Sequence, residues 1–154
     1  MNETGIIFGN KILDIVFIAW FVAQFYKVLT SIFIEKKFNI RRFFETGGMP
    51  SSHSSTVSCL ATCIYIIYGK ESSYFAISVI LAVIVMYDAV GIRRAAGKQA
   101  GVLNRIVDKL SDKIGEIFND EKLKELLGHT QVEVFVGMIL GVVVAFLFKD
   151  YLIS

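Results

Sequence analysis

The residues best suited to chemistry in this chain are its two histidines, each of which stands at the start of an apolar segment. His53 lies in the stretch GGMPSSHS, and His129 lies in LLGHTQVEV. Imidazole exchanges protons near neutral pH, and it can act as a nucleophile when a neighbouring group activates it. Two such groups, if cations and a helix start lie beside them, would suit phosphoryl transfer.

The segment around the first histidine has the composition of an anion-binding helix start. Gly47 and Gly48 supply a turn, and Pro50 suits the first helical position because its missing N–H would be unpaired there. The backbone N–H groups that follow would lack partners within the helix. Together with the helix dipole and the hydroxyls of Ser51 and Ser52, they would cradle an anion. An ordinary serine cap before an interfacial histidine would produce the same pattern.

The second histidine has two readings. His129 and Glu133 are four residues apart, so on one continuous helix the carboxylate could orient and polarise the imidazole. Thr130 and Glu133 also have the spacing of a capping box, in which the glutamate merely satisfies backbone donors. If Thr130 is the cap, His129 precedes the helix and its geometry with Glu133 weakens. We favour the catalytic role, because both histidines of the chain fall at helix starts.

One lysine lies inside an apolar segment. Asp14 and Lys27 interrupt the first such segment, and Gln24 lies one turn before Lys27 on the same face. A charged residue inside a membrane segment suggests a functional site. We therefore predict that Lys27 binds phosphate and that Gln24 supports it. Snorkelling of the lysine to the interface is the alternative.

Further cations follow the third apolar segment. Arg93, Arg94 and Lys98 come just past its end, where arginine could bind phosphate oxygens in a bidentate manner. Ordinary anchoring of a helix end by positive charge would give the same pattern. Asp88 could orient Arg93 or Arg94, or it could bind a divalent ion, and we favour the first role.

The elements that must position these groups are predicted to be membrane helices. Of the 154 residues, 55% are hydrophobic and only 19% are charged, which is richer in apolar residues than an ordinary soluble domain. Four segments approach the ~20 residues that cross a bilayer. They run approximately over residues 12–34, 50–68, 73–90 and 132–153. We predict one all-α domain over residues 1–154, an integral membrane helical bundle of about four transmembrane helices, in preference to a soluble bundle with a large core.

Two other helical features stand out. Apolar and charged residues alternate at helical spacing over residues 97–118, which predicts an amphipathic helix on the membrane surface or beneath the bundle. A short polar helix over 120–127 would then end at Gly128. In the last apolar segment Gly137 and Gly141 form G-x-x-x-G, which allows close helix packing within the bundle or in a homo-oligomer.

The distribution of cations predicts the topology. Lys36, Lys37, Arg41 and Arg42 follow the first segment, and eight more Lys and Arg lie between residues 93 and 129. The opposite side carries only Lys11, Lys70 and Lys149. The positive-inside rule therefore predicts a multi-pass protein of the cell membrane, with the histidines and the amphipathic helix on the cytoplasmic side and both termini outside.

Some classes of function are disfavoured. A net charge of +2, with no basic patch interleaved with aromatics, argues against nucleic acid as a partner. Cys59 and Cys63 are four apart in an apolar segment, which is typical of core residues rather than of a disulfide or a metal site. We expect no metal and no cofactor.

Three stretches, GGMPSSHS, YDAVGIRRAAGKQAGVLN and LKELLGHTQVEV, together with the upstream Lys27, closely resemble the divergent branch of the type 2 phosphatidic acid phosphatase superfamily. That branch is also called the acid phosphatase/vanadium-dependent haloperoxidase-related family. Pro50, Ser51 and His53 match the P-S-G-H motif of the superfamily, with Ser52 in place of glycine. His129 matches its nucleophile, with Glu133 in place of an aspartate.

The resemblance implies a metal-independent mechanism. His129 would attack phosphorus, a phosphohistidine would form, and water would later release phosphate. His53 would protonate the leaving oxygen. The sequence departs from the superfamily in three ways: Arg94 lies much farther before the nucleophile, the first motif of lysine and Arg-Pro is absent, and four spans replace the usual six.

These observations together predict a membrane lipid phosphatase that hydrolyses a phosphate monoester on a lipid headgroup. A cytoplasmic site favours phosphatidylglycerophosphate or phosphatidic acid, with polyprenyl phosphates or diphosphates as an alternative. A non-catalytic protein that binds or moves anionic lipids or phosphate would keep the cations without needing His129. A structural membrane subunit is the third hypothesis.

Overall fold

In the computed structural model, the described part of the chain is helical and contains no strand. It comprises residues 4–35, 48–114 and 128–154, without the side chains of residues 31–35, 92–94 and 110–114. The helices are α1 (Lys11–Glu35), α2 (Ser52–Tyr68), α3 (Ser73–Val90), α4 (Ile92–Ile114), α5 (Gln131–Leu147) and α6 (Lys149–Ile153). The predicted helix over 120–127 and the cations Lys36, Lys37, Arg41 and Arg42 lie outside the described residues.

Two helical runs of the described chain are long and apolar enough to cross a bilayer, namely Lys11–Thr30 and Ser73–Lys109, and the apolar part of the second is Ser73–Val90. The other two predicted spans form helices of 17 residues each, Ser52–Tyr68 and Gln131–Leu147. Both fall somewhat short of the ~20 residues of a straight crossing, so the four-pass topology stays a prediction.

The last apolar segment does not form one helix over 132–153 as the sequence predicts. It breaks at Phe148, whose backbone φ of −99° and ψ of 17° end α5 and begin the short α6. The polar pair Lys149 and Asp150 follows directly, so the chain turns where its apolar run ends. The amphipathic helix, in contrast, begins earlier than predicted, at Ile92, and Gly91 separates it from α3.

Helix α2 is the centre of the bundle and contacts α1, α3, α5 and α6. Its buried positions are mostly small: Ser52, Ser54, Ser55, Val57, Ser58, Cys59, Ala61, Thr62 and Cys63. Small side chains let neighbouring helices approach closely, as in membrane helix packing. The buried core joins α1, α2, α5 and α6 through Ile15, Ala19, Cys59, Cys63, Val144, Ala145 and Leu152.

The G-x-x-x-G face of α5 packs against α2. A Cβ atom on Gly137 would collide with the carbonyl oxygen of Ser51, and one on Gly141 would collide with that of Ser55. Both glycines are buried. Of the two uses left open by the sequence, the structure shows packing within the chain, and a homo-oligomer stays a prediction.

The outside of the bundle is apolar. On α3 the exposed side chains include Tyr74, Ile77, Ile80, Ile84 and Tyr87, while the residues it buries are Ser78, Ala82 and Ala89. A soluble monomer rarely exposes so large an apolar surface, whereas a helix that faces lipid must do so. The architecture is therefore that of an all-α membrane bundle.

Asp14, which interrupts the first apolar segment, holds both the N-terminal residues and α6 against α1 through hydrogen bonds. It is 2% exposed, and its carboxylate accepts hydrogen bonds from the N–H groups of Ile7 (3.2 Å) and Phe8 (2.8 Å) and from the hydroxyl of Tyr151 (2.7 Å). Lys11 donates to Ser154 at 3.3 Å. This polar cluster lies some 20 Å along α1 from Lys27, at a rise of about 1.5 Å per residue.

Candidate active site

The tertiary structure brings the two histidines together. The ring centroids of His53 and His129 are 6.1 Å apart, with an angle of 62° between the ring planes. His53 lies in the first turn of α2, and His129 lies just before α5. Because α2 packs along α5, their neighbouring ends place the two rings side by side.

The backbone around His129 is anchored to α3. Its N–H donates to the carbonyl of Ala89, in the last turn of α3, at 3.0 Å. Gly128 before it has φ of +89°, a conformation that glycine adopts without strain. The side chain of His129 is buried, with the residue 2% exposed. These contacts hold the imidazole at the junction of α2, α3 and α5.

One carboxylate oxygen of Glu133 serves both predicted roles. Thr130 is the N-cap of α5, and the capping box is complete: its hydroxyl accepts from the N–H of Glu133 (3.3 Å), and its own N–H donates to Oε2 of Glu133 (3.1 Å). The same Oε2 lies 3.0 Å from Nδ1 of His129. The expectation that capping by Thr130 would weaken the contact between His129 and Glu133 is therefore wrong. A capping box turns the glutamate back towards the residues before the helix, and His129 is one of them.

This contact fits one tautomer of the ring. An ionised carboxylate only accepts hydrogen bonds, so the contact with Glu133 favours a ring that carries its proton on Nδ1. In the neutral ring the lone pair then resides on Nε2. That atom is the one able to attack an electrophile, and Glu133 would stabilise the positive charge that develops on the ring.

The start of α2 differs from the predicted anion cradle. Ser51 is the N-cap, so Pro50 precedes the helix rather than occupying its first position. The Ser51 N–H donates to the carbonyl of Glu133 at 3.0 Å, and the Ser51 hydroxyl oxygen accepts from Ser54 N–H at 3.3 Å and from the Ser54 hydroxyl at 3.0 Å. Ser51 therefore caps α2 through its hydroxyl oxygen and ties α2 to α5 through its backbone N–H. The cap forms at Ser51 because a serine side chain can satisfy the helix donors, which proline cannot do.

Lys27 reaches the same helix start from α1. Its Nζ lies 3.4 Å from the hydroxyl of Ser52, and the residue is 4% exposed. Gln24, one turn earlier, is also buried. The lysine is thus directed inwards to the start of α2, beside the residue that precedes His53, which disagrees with the snorkelling alternative.

The remaining predicted residues lie on α3 and α4. Asp88 is half-buried in the last turn of α3, and Arg93 and Arg94 lie in the first turn of α4, with side chains outside the described ones. Lys98 is exposed on α4, a helix that contacts α3 and no other of the described helices. The binding of phosphate by Lys98 stays a prediction.

Two contributors were missed or undervalued at the level of sequence. Thr130 was identified only as a competitor of the catalytic geometry, although it orients the carboxylate that contacts His129. Ala89 contributes a carbonyl, and no side-chain pattern could have indicated it. In the described residues, no group of three or more His, Cys, Asp or Glu side chains is placed to hold a metal ion.

The chain is similar to a known family and to a known membrane protein. A family described as "Divergent PAP2 family" matches residues 8–144. The chain is also similar to a protein of Bacillus subtilis (strain 168) that bears the name uncharacterized membrane protein YuiD. The two are 44% identical over 129 residues, which is 78% of this chain and 82% of the relative. No solved structure matches the chain.

Proposed function

The chain belongs to the divergent PAP2 family, and from that membership and the paired histidines we propose that it is a membrane lipid phosphatase with a histidine nucleophile. The observation that carries the proposal is the contact of His53 with His129, whose Nδ1 is held by Glu133. His129 is buried, and burial of an imidazole is unfavourable unless the group is paired, as it is here with Glu133. A phosphoryl-transfer site needs all three groups.

The proposed reaction has two steps. Nε2 of His129 attacks phosphorus, the bond from phosphorus to the lipid oxygen breaks, and His53 gives its proton to that oxygen. Water then attacks the phosphohistidine while His53 takes up a proton, and the bond from Nε2 to phosphorus breaks to release inorganic phosphate. Glu133 holds the Nδ1 proton throughout and balances the charge of the ring.

The phosphate would be held mainly by electrostatics. Lys27 lies at the start of α2, where its ammonium and the Ser52 hydroxyl could bind phosphoryl oxygens. Groups positioned in advance around developing charge often make the largest contribution to catalysis. Arg93 and Arg94 are proposed to contact the same phosphate from the first turn of α4, next to Ala89, the residue that holds His129.

The proposed substrate is a lipid phosphate monoester of the phosphatidylglycerophosphate or phosphatidic acid type. The site lies at helix ends of an apolar bundle, where a headgroup can reach it while acyl chains stay in the bilayer. The cation-rich loops of the sequence argue for the cytoplasmic side. Polyprenyl phosphates and diphosphates are the alternative substrates if the topology is reversed.

The test is phosphate release by the detergent-purified protein from a panel of lipid phosphates, with EDTA present. Release by the wild type that is lost in His129→Ala would support a metal-independent histidine phosphatase and name its substrate class. Glu133→Gln should also reduce release, and Glu71→Gln, a change of an exposed loop carboxylate, is its matched control. No release by a folded wild type that still binds orthovanadate would favour a phosphate or anionic-lipid carrier instead.

A further inference from the structure

Helix α4 packs through its small residues. Gly97, Ala100, Gly101 and Asn104 are buried and recur at the three- and four-residue spacing of one helix face. The larger apolar side chains are exposed: Val102 (49%), Leu103 (50%), Ile106 (48%) and Val107 (38%). At about 100° per residue, these four, here called the outer stripe, lie mostly on the side away from the packed face. The helix therefore leaves its most hydrophobic surface uncovered.

Cations border the outer stripe. Lys98, Arg105 and Lys109 are exposed, against one exposed acid among the described side chains of α4, Asp108. The Nε of Arg105 donates to the carbonyl of Gly101 at 3.1 Å, which lays the arginine along the helix. An apolar stripe edged by Lys and Arg matches the boundary between acyl chains and anionic headgroups.

The position of α4 in the chain agrees with a location at the boundary between acyl chains and headgroups. Its charges recur every few residues, which is incompatible with a lipid-exposed helix in the hydrocarbon core. It follows directly after the apolar α3, with only Gly91 between them. Ala89, near that junction, holds His129, so α4 leaves the bundle at the end where the histidines lie.

We propose that α4 is an interfacial helix, which inserts its outer stripe at the acyl boundary and binds anionic phospholipid headgroups through Arg105, Lys109 and Lys98. The outer stripe of α4 thus contacts an anionic lipid surface. This binding does not depend on whether the histidines catalyse hydrolysis.

The test uses the full-length protein in lipid nanodiscs with a single polarity-sensitive fluorophore on Ile106→Cys or Arg105→Cys. These sequence neighbours lie on different faces, which makes them a matched pair. The native Cys59 and Cys63 are fully buried, and labelling of the wild type measures their background. Quenching by a lipid-attached nitroxide is compared with quenching by aqueous iodide, with and without phosphatidylglycerol in the bilayer.

We expect lipid quenching at Ile106 to be several-fold stronger than at Arg105, and iodide quenching to show the opposite order. Omission of phosphatidylglycerol, or Lys98→Glu with Lys109→Glu, should reduce lipid quenching at Ile106. Strong iodide quenching at Ile106 would overturn the proposal, because the stripe would face water. Shielding from both quenchers would overturn it in favour of a second protein copy or another protein partner. Equal lipid quenching with and without phosphatidylglycerol would refute the binding of anionic headgroups.

Discussion

Nδ1 of His129 lies 3.0 Å from Oε2 of Glu133, the oxygen that also accepts the N–H of Thr130 in the capping box of α5. A common helix-start motif thus holds the imidazole of the proposed nucleophile. The carbonyl of Glu133 also accepts the N–H of Ser51, so the same residue joins the start of α2 to that of α5. Glu133 therefore contributes both to stability and to the proposed chemistry, and mutation of its side chain can separate the two.

Glu133→Gln should keep much of the cap and lose the charge. An amide oxygen can still accept from Thr130, but it cannot balance an imidazolium. We expect the protein to fold while phosphate release falls by about two to four orders of magnitude. With ¹⁵N-labelled histidine the chain shows only two imidazoles, so NMR can follow the tautomer of His129 directly. Unchanged release and an unchanged tautomer would contradict the role of Glu133, and Glu71→Gln should behave as wild type.

Thr130→Ala should weaken both the helix and the site. Loss of an N-cap hydroxyl costs about 1 kcal/mol, because the backbone N–H of Glu133 loses its acceptor. The first turn of α5, which carries the carboxylate of Glu133, is then held less firmly, although the N–H of residue 130 can still donate to Oε2. The expected result is a lower unfolding midpoint together with reduced release at temperatures where the protein is fully folded. Thr130→Ser keeps the hydroxyl and should restore both properties. Full activity in a destabilised Thr130→Ala variant would show that the cap does not position the carboxylate.

Lys27→Gln should weaken binding of phosphate analogues. A hydrogen bond to a charged group contributes about 1.5–3 kcal/mol, which corresponds to about 10- to 100-fold in affinity. Titration of purified protein with orthovanadate measures the dissociation constant directly. Lys70→Gln removes an exposed lysine of the same charge and is the control. Equal affinities of wild type and Lys27→Gln would remove Lys27 from the site.

Gly137→Ala and Gly141→Ala should destabilise the bundle itself. Each added methyl group would meet a carbonyl oxygen of α2, and overpacking of this kind costs about 1–3 kcal/mol or more. Ile139→Ala, a change on the exposed side of the same helix, should have little effect on folding. The loss should not depend on protein concentration. A concentration-dependent loss would instead indicate an interface between subunits.

Tyr151→Phe should loosen the end of the bundle that lies away from the histidines. The hydroxyl of Tyr151 donates to Asp14 and accepts from the N–H of Ile6, so its removal releases both α6 and the N-terminal segment. We expect the unfolding midpoint to fall by a few degrees while phosphate release per folded molecule stays unchanged. Tyr87→Phe, at an exposed position of α3, is the control. A selective loss of activity at an unchanged midpoint would show that the two ends are coupled.

The sequence by itself determined the helices and the candidate chemistry. Helical hydrogen bonds join residues four apart, so local apolar patterns were enough to predict α1, α2, α3 and most of α5. The two histidines, Glu133 and Lys27 could be selected because rare polar groups in an apolar chain are themselves a signal. The capping box of Thr130 was likewise visible from its spacing.

Only the tertiary structure decided how those parts meet. The carbonyl of Ala89 and the N–H of Ser51 are backbone groups, which every residue has, so no pattern could predict their partners. The inward direction of Lys27 depends on how α1 packs against α2, and the use of Gly137 depends on which helix covers it. Contacts between distant segments follow from packing of the whole chain, and periodicity within one segment carries no information about them.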